Sequence, residues 1–209
     1  MRVREWRTSS KILIPDFQIS KFPHFQIRLM ALGATVYTLD IDLADSDRGV
    51  YETLALRVAR HPSESDDYLV ARVLAYCLEY TEGIAFSRGG LSDADDPPLS
   101  IRDLTGSLQV WIDIGSPDAA RLHKACKLAP RVAVYMHRDP AQFLKNLSGE
   151  RIHRAEALEL YAIDRALIAA LVARLDRRMA FALSINEREL YLSIGSDTLT
   201  GVVRRCALE

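Results

Sequence analysis

From Leu108 onward the chain alternates short apolar strands with helices, and this alternation confines it to a mixed α/β class. Leu108–Ile114 reads as a strand, Pro117–Leu128 as a helix and Val132–Met136 as a buried strand, after which Asp139–Pro140 opens another helical segment. Leu158–Tyr161 is a further strand and Ile163–Leu175 a strongly apolar helix. The segment from Met179 to Gly195 reads as a hairpin with Asn186 and Glu187 at its turn, and Thr198–Cys206 adds an edge strand.

The region before Leu108 fits the same class. Residues 33–43 set Ala34, Val36, Thr38 and Asp40 against Thr35, Tyr37, Leu39 and Ile41, the period of a half-buried strand. The turn ADSDRG and the segment from Tyr51 to Arg60 complete a hairpin. Pro62 and Ser63 mark a helix start, with Glu64, Asp66 and Asp67 at the positive end of its dipole. Leu69, Val70, Val73, Leu74, Cys77 and Leu78 form its apolar stripe, which runs to about Tyr80. A short strand at Ile84–Phe86 precedes the turn-rich loop RGGLSDADDPP and a brief strand at Leu99–Ile101. The expected architecture is one domain, a central mixed sheet flanked by helices.

Composition narrows the function classes. With 209 residues, 49% of them apolar, the chain can bury one sizeable core. The net charge of −1 excludes a global field for nucleic acid, so any phosphate-binding surface must be local. Cys77, Cys126 and Cys206 are widely spaced and match no zinc pattern, so they read as free thiols of a reducing, cytoplasmic compartment. No apolar run reaches the roughly 18 residues that a membrane helix needs. Residues 1–29 carry six Arg or Lys against two acids and read as an extension; Met30 opens the first convincing strand, so residues 30–209 form the domain.

The chemistry concentrates between Asp95 and Lys127. An acidic loop leads to Asp103, the strand ending at Ile114 delivers Asp113, and Gly115, Ser116 and Pro117 break the chain into a helix carrying Arg121, Lys124 and Lys127. Two carboxylates with a lysine close behind can hold a divalent metal and a phosphate. The basic residues recur at three- or four-residue steps, a stripe able to follow a phosphate backbone. The duller readings are equally physical: Asp103 sits where turns use Asp to bind backbone, and Glu64 stabilises a helix start. Trp111 reads as a core residue, and His123, His137 and His153 lack ligand spacing. His61 and Ser63 suggest a dyad, but Ser63 is a good helix cap and no third carboxylate is identifiable.

The strings ARHPSE at 59–64, DLTGSLQVWIDIGSPDAARLHKA at 103–125 and the opening MALGATVY at 30–37 resemble the YaeQ family of small bacterial proteins. The resemblance covers nearly all of the chain from Met30. It implies a compact variant of the PD-(D/E)XK nuclease core and carries a suggested link to transcription elongation. Placed on this sequence, it puts Asp113 at the (D/E)XK acid, Asp103 (or Asp95 or Asp96) at the earlier Asp, and Glu64 at an additional carboxylate. Gly115 stands where the motif lysine belongs, so Lys124, then Lys127, would have to supply that cation.

Two functional expectations follow. In the first, Asp103, Asp113 and Glu64 bind Mg²⁺ or Mn²⁺ and Lys124 orients the attacking water of a nucleic-acid phosphodiesterase, with Arg121, Lys124 and Lys127 along the strand. In the second, a non-catalytic protein keeps the pocket to bind nucleic acid or a protein partner.

Overall fold

The computed structural model describes residues 34–87 and 96–208. The basic segment 1–29 and the acidic candidate Asp95 therefore lie outside the described residues. The first hairpin is β1 (Thr35–Asp45) and β2 (Val50–Arg60), paired from Thr35 opposite Arg60 to Asp45 opposite Val50. Then come α1 (Asp66–Leu78), β3 (Ile84–Phe86), β4 (Leu99–Arg102) and β5 (Leu108–Ile114). The strand–helix alternation continues as α2 (Ala119–Leu128), β6 (Arg131–Met136), α3 (Pro140–Leu147), β7 (Glu159–Ile163) and α4 (Arg165–Val172). Three strands close the chain: β8 (Arg178–Asn186), β9 (Glu189–Ile194) and β10 (Asp197–Cys206).

All ten strands join one mixed sheet in the order β2-β1-β8-β9-β10-β7-β6-β5-β4-β3. β5, β6 and β7 run parallel, with α2 and α3 as their crossovers, and β1 runs parallel to β8. Thr198–Cys206 is not the edge strand that its sequence position suggests. β10 joins β9 on one side to β7 on the other, and the free edges belong to β2 and β3. Pairing across the chain, invisible to local pattern, decides which strand is outermost.

The sheet separates two cores. Val132, Val134 and Met136 of β6 face α2 and α3 through Leu122, Cys126, Phe143 and Leu147. Ala133 and Tyr135 of the same strand face the larger core, where α1 and α4 pack. The period of two in β6 thus feeds both cores. The expected single stripe on α1 is too narrow: all of Leu69 to Ala75, including Arg72, is buried. A helix that is apolar nearly all round belongs inside a core rather than on its surface. Its N-cap is Ser65, whose Oγ accepts the Tyr68 N–H, so the helix begins after Ser63. Ile163 likewise ends β7, and Asp164 caps α4 by accepting the Ala166 N–H.

Two local features fix the packing. Gly201 in β10 lies under α4 so closely that a Cβ would meet Leu167 Cβ at 2.7 Å. The β8–β9 turn uses Glu187 and Arg188, one residue later than the expected Asn186–Glu187, with φ of +51° and +64°. Such two-residue turns normally use Asn-Gly, because left-handed backbone costs other residues roughly 1–2 kcal/mol each. Asp47 in the β1–β2 turn offsets this by accepting both backbone N–H groups, at 2.7 and 2.9 Å.

Candidate functional site

Parallel strands deliver the loops at their carboxyl ends to one side of a sheet, where α/β proteins tend to bind ligands. Here β5 delivers Asp113, Gly115 and Ser116, β6 delivers His137 and Arg138, and the segment entering α1 brings Ser63, Glu64, Ser65 and Tyr68. These residues, Asp113 excepted, line a cavity of about 350 Å³.

Asp113 lies behind this cavity, on the Trp111 face of β5, buried to 2% exposure. Its Oδ2 accepts the Trp111 indole N–H at 2.7 Å, and Arg121 Nε donates to both oxygens at 2.9 and 3.1 Å. The Arg121 guanidinium lies 5.2 Å from the Trp111 ring centroid, and its Nη2 also donates to the Asp96 carbonyl. Burial pushes the Asp113 carboxyl upward, and Arg121 and the indole pull it back. The cation that holds this carboxylate is thus the first member of the basic stripe. Lys124 follows one turn later, half-buried, and Lys127 is exposed.

Glu64 is arranged in the same way. Arg72 Nη2 stands 2.9 Å from its Oε1 and 3.2 Å from its Oε2, and the His61 backbone N–H donates to Oε2 at 3.0 Å. Burial raises its pKa, with Arg72 opposing. Arg72 also donates to the Ala59 carbonyl and lies over the Phe86 ring. Two buried carboxylates at the cavity are therefore each neutralised by one arginine.

Asp103 is elsewhere. It is exposed in the turn before β5, accepting from Thr105 N, Thr105 Oγ1, Ser107 N and Gln109 Nε2, and these bonds hold its pKa low. Gln109 and Asp113 are four residues apart on β5, roughly 13 Å at the rise of a strand. The two aspartates expected to share a metal sit at opposite ends of one strand. Among the described residues no three His, Cys, Asp or Glu side chains come together as a metal-binding group. With Asp113 and Glu64 each ion-paired to an arginine and Asp103 remote, this donor set does not fit Mg²⁺ or Mn²⁺.

The place of the motif lysine has a definite occupant. Gly115 adopts φ +88°, and a Cβ there would lie 3.3 Å from His137 Cε1. The imidazole thus fills the space that a side chain at 115 would enter. His137 is buried, edge-on to Tyr68, its Nδ1 has no hydrogen-bond partner among the described residues, and burial lowers its pKa. Arg138 beside it is exposed and makes no ion pair or hydrogen bond with a described residue. Neither residue stands out by spacing; the available signal was their place just after a buried strand of a strand–helix–strand unit. His61 and Ser63 do meet, Nδ1 to Oγ at 2.6 Å, but the Ser63 N–H points at the same nitrogen, making a tight local turn.

The chain is similar to known proteins along most of its length. A family model described as YaeQ protein matches residues 30–202. YaeQ of Salmonella typhi is 32% identical over 171 residues, spanning 81% of this chain and 94% of its own, and YaeQ of Escherichia coli K12 is 31% identical over the same length. The crystal structure of YaeQ from Xanthomonas axonopodis pv. citri superposes with a TM-score of 0.75 at 31% identity, covering 84% of this chain and 99% of that one. That from Pseudomonas syringae superposes equally well at 27% identity, covering 84% and 97%. The chain belongs to the YaeQ family.

Proposed function

We propose that the cavity at the carboxyl ends of β5 and β6 is a recognition site for a phosphate group of single-stranded nucleic acid, without hydrolysis. The observation that carries this reading is the double arginine pairing of Asp113 and Glu64. Both carboxylates are charge-paired inside the fold, which favours an anion over a metal cation at the cavity. Arg138 then leaves a guanidinium at the cavity rim, with the hydroxyls of Ser63 and Ser116 beside it. A guanidinium and hydroxyls suit phosphate oxygens. The nuclease-like core implied by the resemblance is compatible with an acid at the end of β5, but the lysine that would activate water has no place at Gly115.

The test is fluorescence anisotropy with a short single-stranded DNA, with and without a 5′-phosphate, against wild type and Arg138→Gln. Tighter binding of the phosphorylated strand, lost in the variant, is the expected result. Equal binding of both strands sinks the phosphate assignment. Cleavage of the strand in Mn²⁺ that depends on Asp113 would instead favour the hydrolytic reading.

A further inference from the structure

We propose that a second cavity, at the C-terminal end of α1, binds a small zwitterion of the α-amino acid class. The cavity holds about 170 Å³ and is bounded by the β1–β2 turn, the end of α1, residues of β6, β7 and β10, and the β8–β9 turn. It shares no lining residue with the phosphate site and lies at the other end of α1.

Its charged lining is three carboxylates and three guanidiniums, and most of them are spoken for. Asp45 holds Arg48, which also donates to the carbonyls of Cys77 and Tyr80. Glu79 holds Arg131 through two parallel bonds of 2.7 and 2.9 Å, and accepts from Tyr135 Oη at 2.7 Å. Arg131 also gives Nε and Nη2 to Glu159. Two charged groups have no ionic partner among the described residues. Arg188 makes no side-chain hydrogen bond or ion pair with a described residue and lies over the Tyr161 ring, 5.3 Å from its centroid. Asp47 is met by two backbone N–H groups but by no side-chain cation among the described residues.

Among the described residues the cavity thus offers one guanidinium with no carboxylate partner and one carboxylate with no side-chain cation. Their complement is a molecule carrying one carboxylate and one ammonium. Leu78, Ile185 and Val203 supply an apolar wall for an aliphatic side chain, and the volume suits a single residue rather than a peptide. A second observation concerns the backbone. Arg188 is held at φ +64°, where glycine would sit without strain, and a strained residue at a polar cavity is where function is expected to override local preference. Arg188 keeps a side chain there, and that side chain is the guanidinium of the cavity with no carboxylate on it among the described residues.

The experiment is titration calorimetry on the full chain with L-leucine, leucinamide and 4-methylpentanoate, the last two each lacking one charge. Wild type should bind L-leucine and bind each single-charge analogue at least about tenfold more weakly. Arg188→Gly removes the guanidinium while relieving the turn, so it should fold normally and lose at least about tenfold in L-leucine affinity. Arg188→Lys, which keeps the charge, should retain part of it. No heat from L-leucine up to about 10 mM overturns the proposal, as does wild-type affinity in Arg188→Gly or equal binding of either analogue.

Discussion

The two ends of α1 use the same residue types in opposite ways. At the N-terminal end each buried carboxylate has one arginine: Glu64 with Arg72, Asp113 with Arg121. At the C-terminal end one arginine, Arg131, serves both Glu79 and Glu159, and the network is wetter, with 35% of the Arg131 side chain exposed. The first end relaxes its backbone with glycine at 115, whereas the second holds Glu187 and Arg188 in left-handed conformations. Closed pairs make a rigid wall around a cavity, and shared ones leave charge that a ligand can complete.

The comparison breaks most readily at Arg121. Arg121→Ala leaves Asp113 buried beside Trp111 with no cation, and should cost about 3–5 kcal/mol in urea unfolding. Arg131→Gln also strands two carboxylates, but water reaches this site, so a smaller loss of about 2–3 kcal/mol is expected by the same measurement. Equal losses would show that burial does not distinguish the two ends. Gly115→Lys restores the motif lysine in sequence, yet it meets a left-handed φ and the His137 ring. It should cost about 1–3 kcal/mol and yield no Mn²⁺-dependent cleavage in a gel assay. Arg188→Gly has the opposite sign: relief of the turn should raise stability by about 1 kcal/mol, read as a shift in the urea midpoint.

The smallest effect is that of pH on His137. Burial sets its folded pKa below its ordinary 6.5, so the unfolded chain binds the proton more readily. This contribution to stability is complete above pH 6.5 and is lost as pH falls through the window below it. His137→Phe should flatten that part of the stability–pH curve; an unchanged slope would assign it to other groups.

Most elements were legible because they follow local rules. The alternation in Thr35–Asp45, the helix after Pro117 and the hairpin around Glu187 all appear within about two residues of their expected places. Errors gathered where a distant partner decides. Thr198–Cys206 looked like an edge because nothing local announces β7 as its neighbour. Seven consecutive buried residues on α1 look like a stripe with interruptions until Glu64 supplies the partner that lets Arg72 go inside.

The site divides similarly. Asp113, Glu64 and the gap at Gly115 could be picked out from residue types and motif. Their chemical state could not, because a carboxylate beside an arginine and one beside a metal have the same spelling. His137 lacks ligand spacing and nothing local marks Arg138, yet the β5–α2–β6 crossover brings both to the Gly115 cavity.

By itself, then, the sequence determined the element order, the mixed α/β class and the family resemblance, since periodicity, turn residues and short motifs act within a few residues. Only the tertiary structure decided which strand is an edge and that arginines already occupy the buried acids. The first depends on pairing between strands far apart in the chain, the second on charge neutralisation across a turn, from one element to the next. Burial makes such neutralisation compulsory, and no local pattern records which partner provides it.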